Sequence, residues 1–214
     1  MERIVRNGFQ YFPIFQEYST ALRHFTADTG ARHAAEAQAA AERLGIPSTV
    51  IYFAVDYDAT DPEVTSNILP YFQAVKANLG GGYRVGIYAS RNICTRVAEA
   101  GYSVASFVSD MSTGFSGNLG FPIPKNWVFD QFHEISGYRN QWDLDRVAFS
   151  GRVGAVGSVL QSGATPLPPV LYEAPPVPNL NWTKPFSQVL PLIHSLENAY
   201  SDFARGKRYS GLSL

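Results

Sequence analysis

One cysteine, Cys94, stands in 214 residues, so no internal disulfide can form, and thiolate-rich zinc or iron–sulfur sites are excluded. Charge is also scarce. Charged residues make up 16% of the chain, and 17 basic against 18 acidic side chains leave a formal charge of −1. That balance offers no electrostatic footprint for nucleic acid, so no nucleic-acid partner is expected. No run of 18 apolar residues is present, so no membrane-spanning helix is expected. The opening MERIVRNGFQ has charge but no apolar core, and no signal peptide is expected in this chain. What the chain does have is core material: 45% hydrophobic residues and 14% aromatics, which excludes a disordered protein.

Residues 1–160 read as strand–helix units. Gln10 to Gln16 (QYFPIFQ), Val50 to Val55 (VIYFAV), Arg84 to Tyr88 and Val104 to Val108 are short apolar runs that suit strands. Arg32 to Leu44 is rich in alanine and glutamate and reads as a helix stopped by Gly45 and Pro47. Pro62 to Leu79, with Asp61 as its expected cap, and Arg91 to Ala100 read as two more helices. Trp127 to Phe132 and Trp142 to Phe149 complete the strand candidates. Alternation at this spacing predicts an α/β domain with a parallel sheet. From residue 161 to 214 the composition shifts. Thr165 to Pro178 holds six prolines, a stiff arm, and Phe186, Val189, Leu190, Ile193, Leu196, Tyr200 and Phe203 form a helical stripe. The stripe predicts that residues 167–205 dock on the domain, a partner or a second chain.

The strongest chemical signal is VIYFAVDYD, in which a buried strand runs into Asp56 and Asp58. Residues i and i+2 of an extended chain project to one side, so the two carboxylates are expected together at the C-terminal end of the strand. Mutual repulsion would raise one pKa and give the acid and ionised partner that glycoside hydrolysis needs. A helix cap beside a solvated carboxylate accounts for the same residues equally well, and an oxygen-ligand site for a nucleotide sugar is a minor third reading. A second carboxylate pair, Asp143 and Asp145, lies in WDLD, with Gln131 on the strand before it. Tyr88, Trp127 and Trp142 could stack on sugar faces or pack in the core. Glu17, after the first strand candidate, is a further carboxylate or a solvent-facing loop residue. The histidines show no metal-ligand spacing.

The ordered blocks IYFAVDYDA (Ile51 to Ala59), PYF (Pro70 to Phe72), RVGIYAS (Arg84 to Ser90) and WVFDQFHEISGYRNQWDLDRVAF (Trp127 to Phe149) resemble the glycoside-hydrolase-like domain typified by a secreted mycobacterial protein. That domain is related to the glycoside hydrolase family 25 lysozymes. The resemblance implies a lysozyme-type β/α barrel with six parallel strands, its first two strands without counterpart here, over residues 1–160. It implies no metal or other cofactor, and action on cell-wall polysaccharide at the envelope or outside the cytoplasm. In that reading the protein is a peptidoglycan muramidase with catalytic Asp58, Asp56 and Asp143. Asp58, the general acid, occupies the lysozyme glutamate position, and Gln131, Glu17, Tyr88, Trp127, Trp142 and Asp145 bind substrate. The alternative is a non-catalytic glycan-binding or assembly-associated module, which the shorter side chain at position 58 favours.

Overall fold

The structure is a computed structural model that describes residues 1–160. The proline-rich arm and the stripe expected to dock through residues 167–205 lie outside the described residues.

Six strands form one sheet in chain order: β1 (Ile14–Phe15), β2 (Val50–Ala54), β3 (Arg84–Ala89), β4 (Ala105–Val108), β5 (Trp127–Tyr138) and β6 (Trp142–Phe149). The first five are parallel, but β6 runs antiparallel to β5, which corrects the expectation of six parallel strands. The reason is local. A parallel return needs a crossover of a dozen or more residues. Here Arg139 and Asn140, at φ 53° and 56°, make a tight turn that sends the chain straight back. Only Trp127 to Asp130 of β5 pair with β4. The rest of β5 and the stretch of β6 paired with it, Trp142 to Arg146, therefore project past the C-terminal edge of the sheet as a two-stranded ribbon.

Every residue of β2 is buried, because the sheet is covered on both faces. Ile51, Phe53 and Val55 belong to an outer core with Val85, Ile87, Ala37, Phe72 and Ile93. These last three come from α2 (Ala27–Arg43), α4 (Leu69–Asn78) and α5 (Arg91–Glu99). Val50 and Tyr52 instead join Ala105, Phe129 and Val153 in an inner core, with Phe12 and Phe107 against it. The inner rings show that the sheet curls. In a flat sheet β1 and β5 would lie roughly 19 Å apart. Yet Phe12, just before β1, meets the Phe129 ring edge-on at 4.2 Å and lies 5.5 Å from Phe149 of β6. Behind β6, Tyr11 and Val156 exchange backbone hydrogen bonds of 2.9 and 3.0 Å. The result is a curled, half-barrel sheet with β1 at its free edge. An apolar cleft lined by Ile4, Phe12, Ile14, Ala37 and Leu44 runs beside that edge.

Helix ends follow the chemistry of their residues. Thr26 caps α2 by accepting the Thr29 amide at 3.1 Å. Gly45, at φ +66°, ends it with bonds from its own amide to Glu42 O and from Ile46 N to Ala41 O. The expected Pro62 helix begins with Thr60, not Asp61, as its cap, because the Glu63 carboxylate reaches back to the Thr60 amide at 2.7 Å. That helix opens with α3 (Asp61–Glu63) and passes through a π-helical turn (Val64–Ile68) into α4. Pro70 has no N–H for the regular ladder, and the chain answers with a wider Leu69-to-Val64 bond. α1 (Glu2–Arg6) precedes the sheet.

Tyr52 is fully buried in the inner core, and its hydroxyl has no hydrogen-bond partner among the described residues. An unsatisfied buried hydroxyl costs about 1–3 kcal/mol. Tyr52→Phe is therefore expected to leave the melting temperature unchanged or raise it by a few degrees, read by circular dichroism. A clear fall would mean that the hydroxyl is satisfied by a bound water.

Candidate functional site

The C-terminal ends of the parallel strands bring polar side chains to one rim. From β3, the Tyr88 hydroxyl donates to Gln131 Oε1 at 2.6 Å, and Gln131 Nε2 donates to Asp145 Oδ2 at 2.6 Å. The order of donors is dictated by chemistry. An ionised Asp145 only accepts, so the amide nitrogen faces it, and the carbonyl oxygen takes the phenol proton. Gln131 is buried while Asp145 is exposed, so the amide is a fixed hinge between core and solvent. The Tyr88 phenol is pushed up to about 12 by burial, with the charges of Asp56 and Asp145 adding to it. It therefore remains a donor at any working pH, and both carboxylates lie close enough to act on it.

Asp56 belongs to this rim from the other side. Its amide donates to Ser19 O at 2.9 Å, and its Oδ2 accepts from Gln16 Nε2 at 3.3 Å. The same Gln16 nitrogen reaches Ser19 Oγ at 2.9 Å. Gln16 and Ser19 escaped the sequence reading, although Gln16 ends the first apolar run, where a parallel strand delivers its polar residues.

Asp58 goes elsewhere. It accepts the Ser116 amide at 2.8 Å and the Ser116 hydroxyl at 2.7 Å, fastening the loop between β4 and β5. The same-side projection expected of an i, i+2 pair lapses because β2 ends at Ala54 and the chain is already turning. The forces on Asp58 do not come from Asp56. Desolvation pushes its carboxyl up, but bonds from Ser116 and Gly117 outweigh this and hold it below its ordinary value. Nothing local in the sequence marks Ser116 as its partner, since 58 residues separate them.

The sign of that shift makes a prediction. A depressed carboxyl stabilises the folded loop above its unfolded pKa of about 3.9, and the contribution is lost as pH falls through the lower folded value. Hydrogen-exchange protection of the Ser116 amide is expected to hold from neutral pH down to about 4 and to fall below it. Asp58→Asn should lose that protection at every pH.

The remaining candidates are spread out. Asp143 Oδ1 accepts the Gly137 amide at 2.8 Å near the tip of the ribbon, two residues farther out than Asp145. Trp142 is 53% exposed, beside Tyr138 at 6.3 Å, and strand alternation puts it on the ribbon face opposite Asp145. Trp127 begins β5, at the other end of the sheet from Gln131, under the Arg152 guanidinium at 5.7 Å. Glu17 binds His33 Nε2 at 2.8 Å and Arg32 at 3.0 Å, and these bonds, Arg32's first, lower its pKa. Glu17, His33 and Glu36 lie within 4.8 Å of one another. Arg32 reaches both carboxylates, at 3.0 and 2.8 Å, and puts its positive charge where a cation would sit.

Asp130 has the elevated pKa that a general acid needs, about 6, caused by burial and by neighbouring Asp110. It alternates with Gln131 on β5 and so faces away from the rim, toward Asp110, which Arg91 holds at 2.7 Å. The sequence reading did not single out this group.

The curled α/β sheet thus carries a Tyr88–Gln131–Asp145 chain on its rim, with Asp56 bonded separately to Gln16. Residues 1–158 match the family described as Rv2525c-like, glycoside hydrolase-like domain, and the chain belongs to that family. Two curated relatives come from Bacillus subtilis (strain 168), both uncharacterized proteins. YbfG is 42% identical over 209 residues, spanning 92% of this chain and 27% of that protein. FadG is 48% identical over 141 residues, spanning 64% of this chain and 24% of that protein. The chain thus spans about a quarter of the length of these relatives. Among solved structures, the Mycobacterium tuberculosis Tat-secreted protein Rv2525c in complex with HEPES matches at a TM-score of 0.49 and 20% identity, covering 76% of this chain and 73% of that one. The same protein in complex with L-tartrate matches at a TM-score of 0.49 and 20% identity, covering 75% and 72%. Among the described residues, no helix is long and apolar enough to cross a membrane.

Proposed function

We propose that this domain binds cell-wall glycan outside the cytoplasm, using the rim formed by Asp56, Tyr88, Gln131 and Asp145. The observation that supports this most is the oriented Tyr88–Gln131–Asp145 chain beside Asp56, on a domain of the glycoside-hydrolase-like family. Sugar hydroxyls both donate and accept, and a rim of fixed acceptors held by a buried amide suits them. Binding is favoured over cleavage for a reason of protonation. Hydrolysis needs a carboxyl that is still protonated when substrate arrives. Asp58 is held ionised by Ser116, and the elevated carboxyl of Asp130 faces the other way.

The second reading, a peptidoglycan muramidase, has one observation in its favour: Asp56 and Asp145 both lie near enough to the Tyr88 phenol to raise it. In that reading Asp58 serves as acid after release from Ser116, with Asp56 as its partner. Incubation with purified peptidoglycan separates the two. Co-sedimentation without soluble muropeptides is the expected result. Release of muropeptides with new reducing ends would establish the muramidase instead.

A further inference from the structure

Beside the rim, between the end of β1 and the first turns of α2, lies a small cleft of about 120 Å³. It is one residue from the proposed site, because Glu17 in its wall follows Gln16, which bonds Asp56. Its wall holds one unspent cation. Arg23 is exposed and has no hydrogen bond or ion pair among the described residues. His24 lines the same cleft, and its Nδ1 is buried with no partner among the described residues. Arg32 adds a second cation, already shared with Glu17 and Glu36. Glu17 is the carboxylate in this wall, and its charge is answered by Arg32 and His33. The charge of Arg23 is therefore left over. Over the cleft stands Tyr18, 70% exposed, with its ring 5.7 Å from that of His24.

An exposed phenol ring offers a flat face to the C–H side of a pyranose. An unpaired guanidinium calls for an oxyanion, and the His24 ring lies beside it in the same wall. We infer that this cleft receives a carboxylate-bearing sugar residue, with its ring on Tyr18 and its carboxylate on Arg23, next to the His24 ring. The assignment rests on the glycan reading above and deepens it. The cleft selects an acidic sugar next to the residue held at Asp56.

N-acetylmuramic acid and N-acetylglucosamine differ by a lactyl carboxylate and serve as the probe pair. Binding to the full chain is measured by calorimetry at low salt, with the imidazole signals of His24 followed by NMR. The acidic sugar is expected to bind at least tenfold more tightly, to shift His24, and to lose this advantage in Arg23→Gln. Arg23→Gln should fold normally, since the side chain has no partner to lose, and an unchanged melting temperature checks this. Equal binding of the two sugars would overturn the acidic subsite while leaving the glycan reading in place. If neither sugar binds, D-lactate decides. A His24 shift that Arg23→Gln abolishes keeps the carboxylate site, no shift overturns it, and co-sedimentation with peptidoglycan decides the glycan reading separately.

Discussion

Gly30→Val is expected to destabilise the domain by about 2–3 kcal/mol, a fall in melting temperature of roughly 4–12 °C. Two effects oppose each other here. Glycine inside a helix is disfavoured, so a β-carbon at Gly30, in the first turn of α2, gains a few tenths to about 1 kcal/mol of helix propensity. But a β-carbon at Gly30 would stand 2.3 Å from the backbone oxygen of Tyr71 in α4 and 3.2 Å from the Ala74 methyl. A backbone oxygen cannot rotate aside, so α2 and α4 would have to separate, and both seal the outer core through Ala34, Ala37, Phe72 and Val75. Overpacking of this kind typically costs 1–3 kcal/mol and occasionally more, which exceeds the propensity gain. Gly30→Ala should follow in the same direction with a smaller loss. Thermal melts of both variants test the point, and an alanine variant more stable than the parent would show that helix propensity outweighs the close approach.

Asp56→Asn is expected to weaken glycan binding by about 10–150-fold, the loss of a hydrogen bond to a charged group at about 1.5–3 kcal/mol. The fold should survive, because the amide keeps an acceptor for Gln16 and the backbone bond to Ser19 does not involve the side chain. A second readout is independent of any sugar. The negative charge of Asp56 helps to hold the Tyr88 phenol near 12, so its removal should lower that pKa in a spectroscopic tyrosine titration. Asp143→Asn serves as the contrast. Its carboxylate is bonded to Gly137 on the ribbon, and its removal should change affinity less than twofold, well under 1 kcal/mol. Unchanged binding in Asp56→Asn together with a loss in Asp143→Asn would move the site to the tip of the ribbon.

The two carboxylates of VDYD show how far a local pattern reaches. The buried strand and its polar end were legible, because β2 is covered on both faces and a run of five apolar residues has no other use. The fate of the aspartates was not, because alternation ends where the strand ends. Asp56 turns to Gln16 and Ser19, forty and thirty-seven positions earlier, and Asp58 turns to Ser116, 58 positions later. The ribbon repeats the lesson. Its second strand was readable, but its first was legible only as far as Phe132, and the antiparallel pairing depends on Arg139 and Asn140 adopting positive φ. With that turn in place, Asp145 meets Gln131, while Asp143 is carried outward and Trp142 to the opposite face.

By itself, then, the sequence determined the six strand positions and the three main helices, though not α1 or the outer half of β5, along with the parallel order of the first five strands and the rim at their C-terminal ends. Each of these follows from the periodicity of side chains within one segment and from the short links between segments. Tertiary structure alone decided the curl that brings Phe12 onto Phe129, the separation of Asp56 from Asp58, and the charged cleft of Arg23 and His24. These depend on contacts between residues far apart in the chain, where register and curvature, rather than local propensity, set which side chains meet.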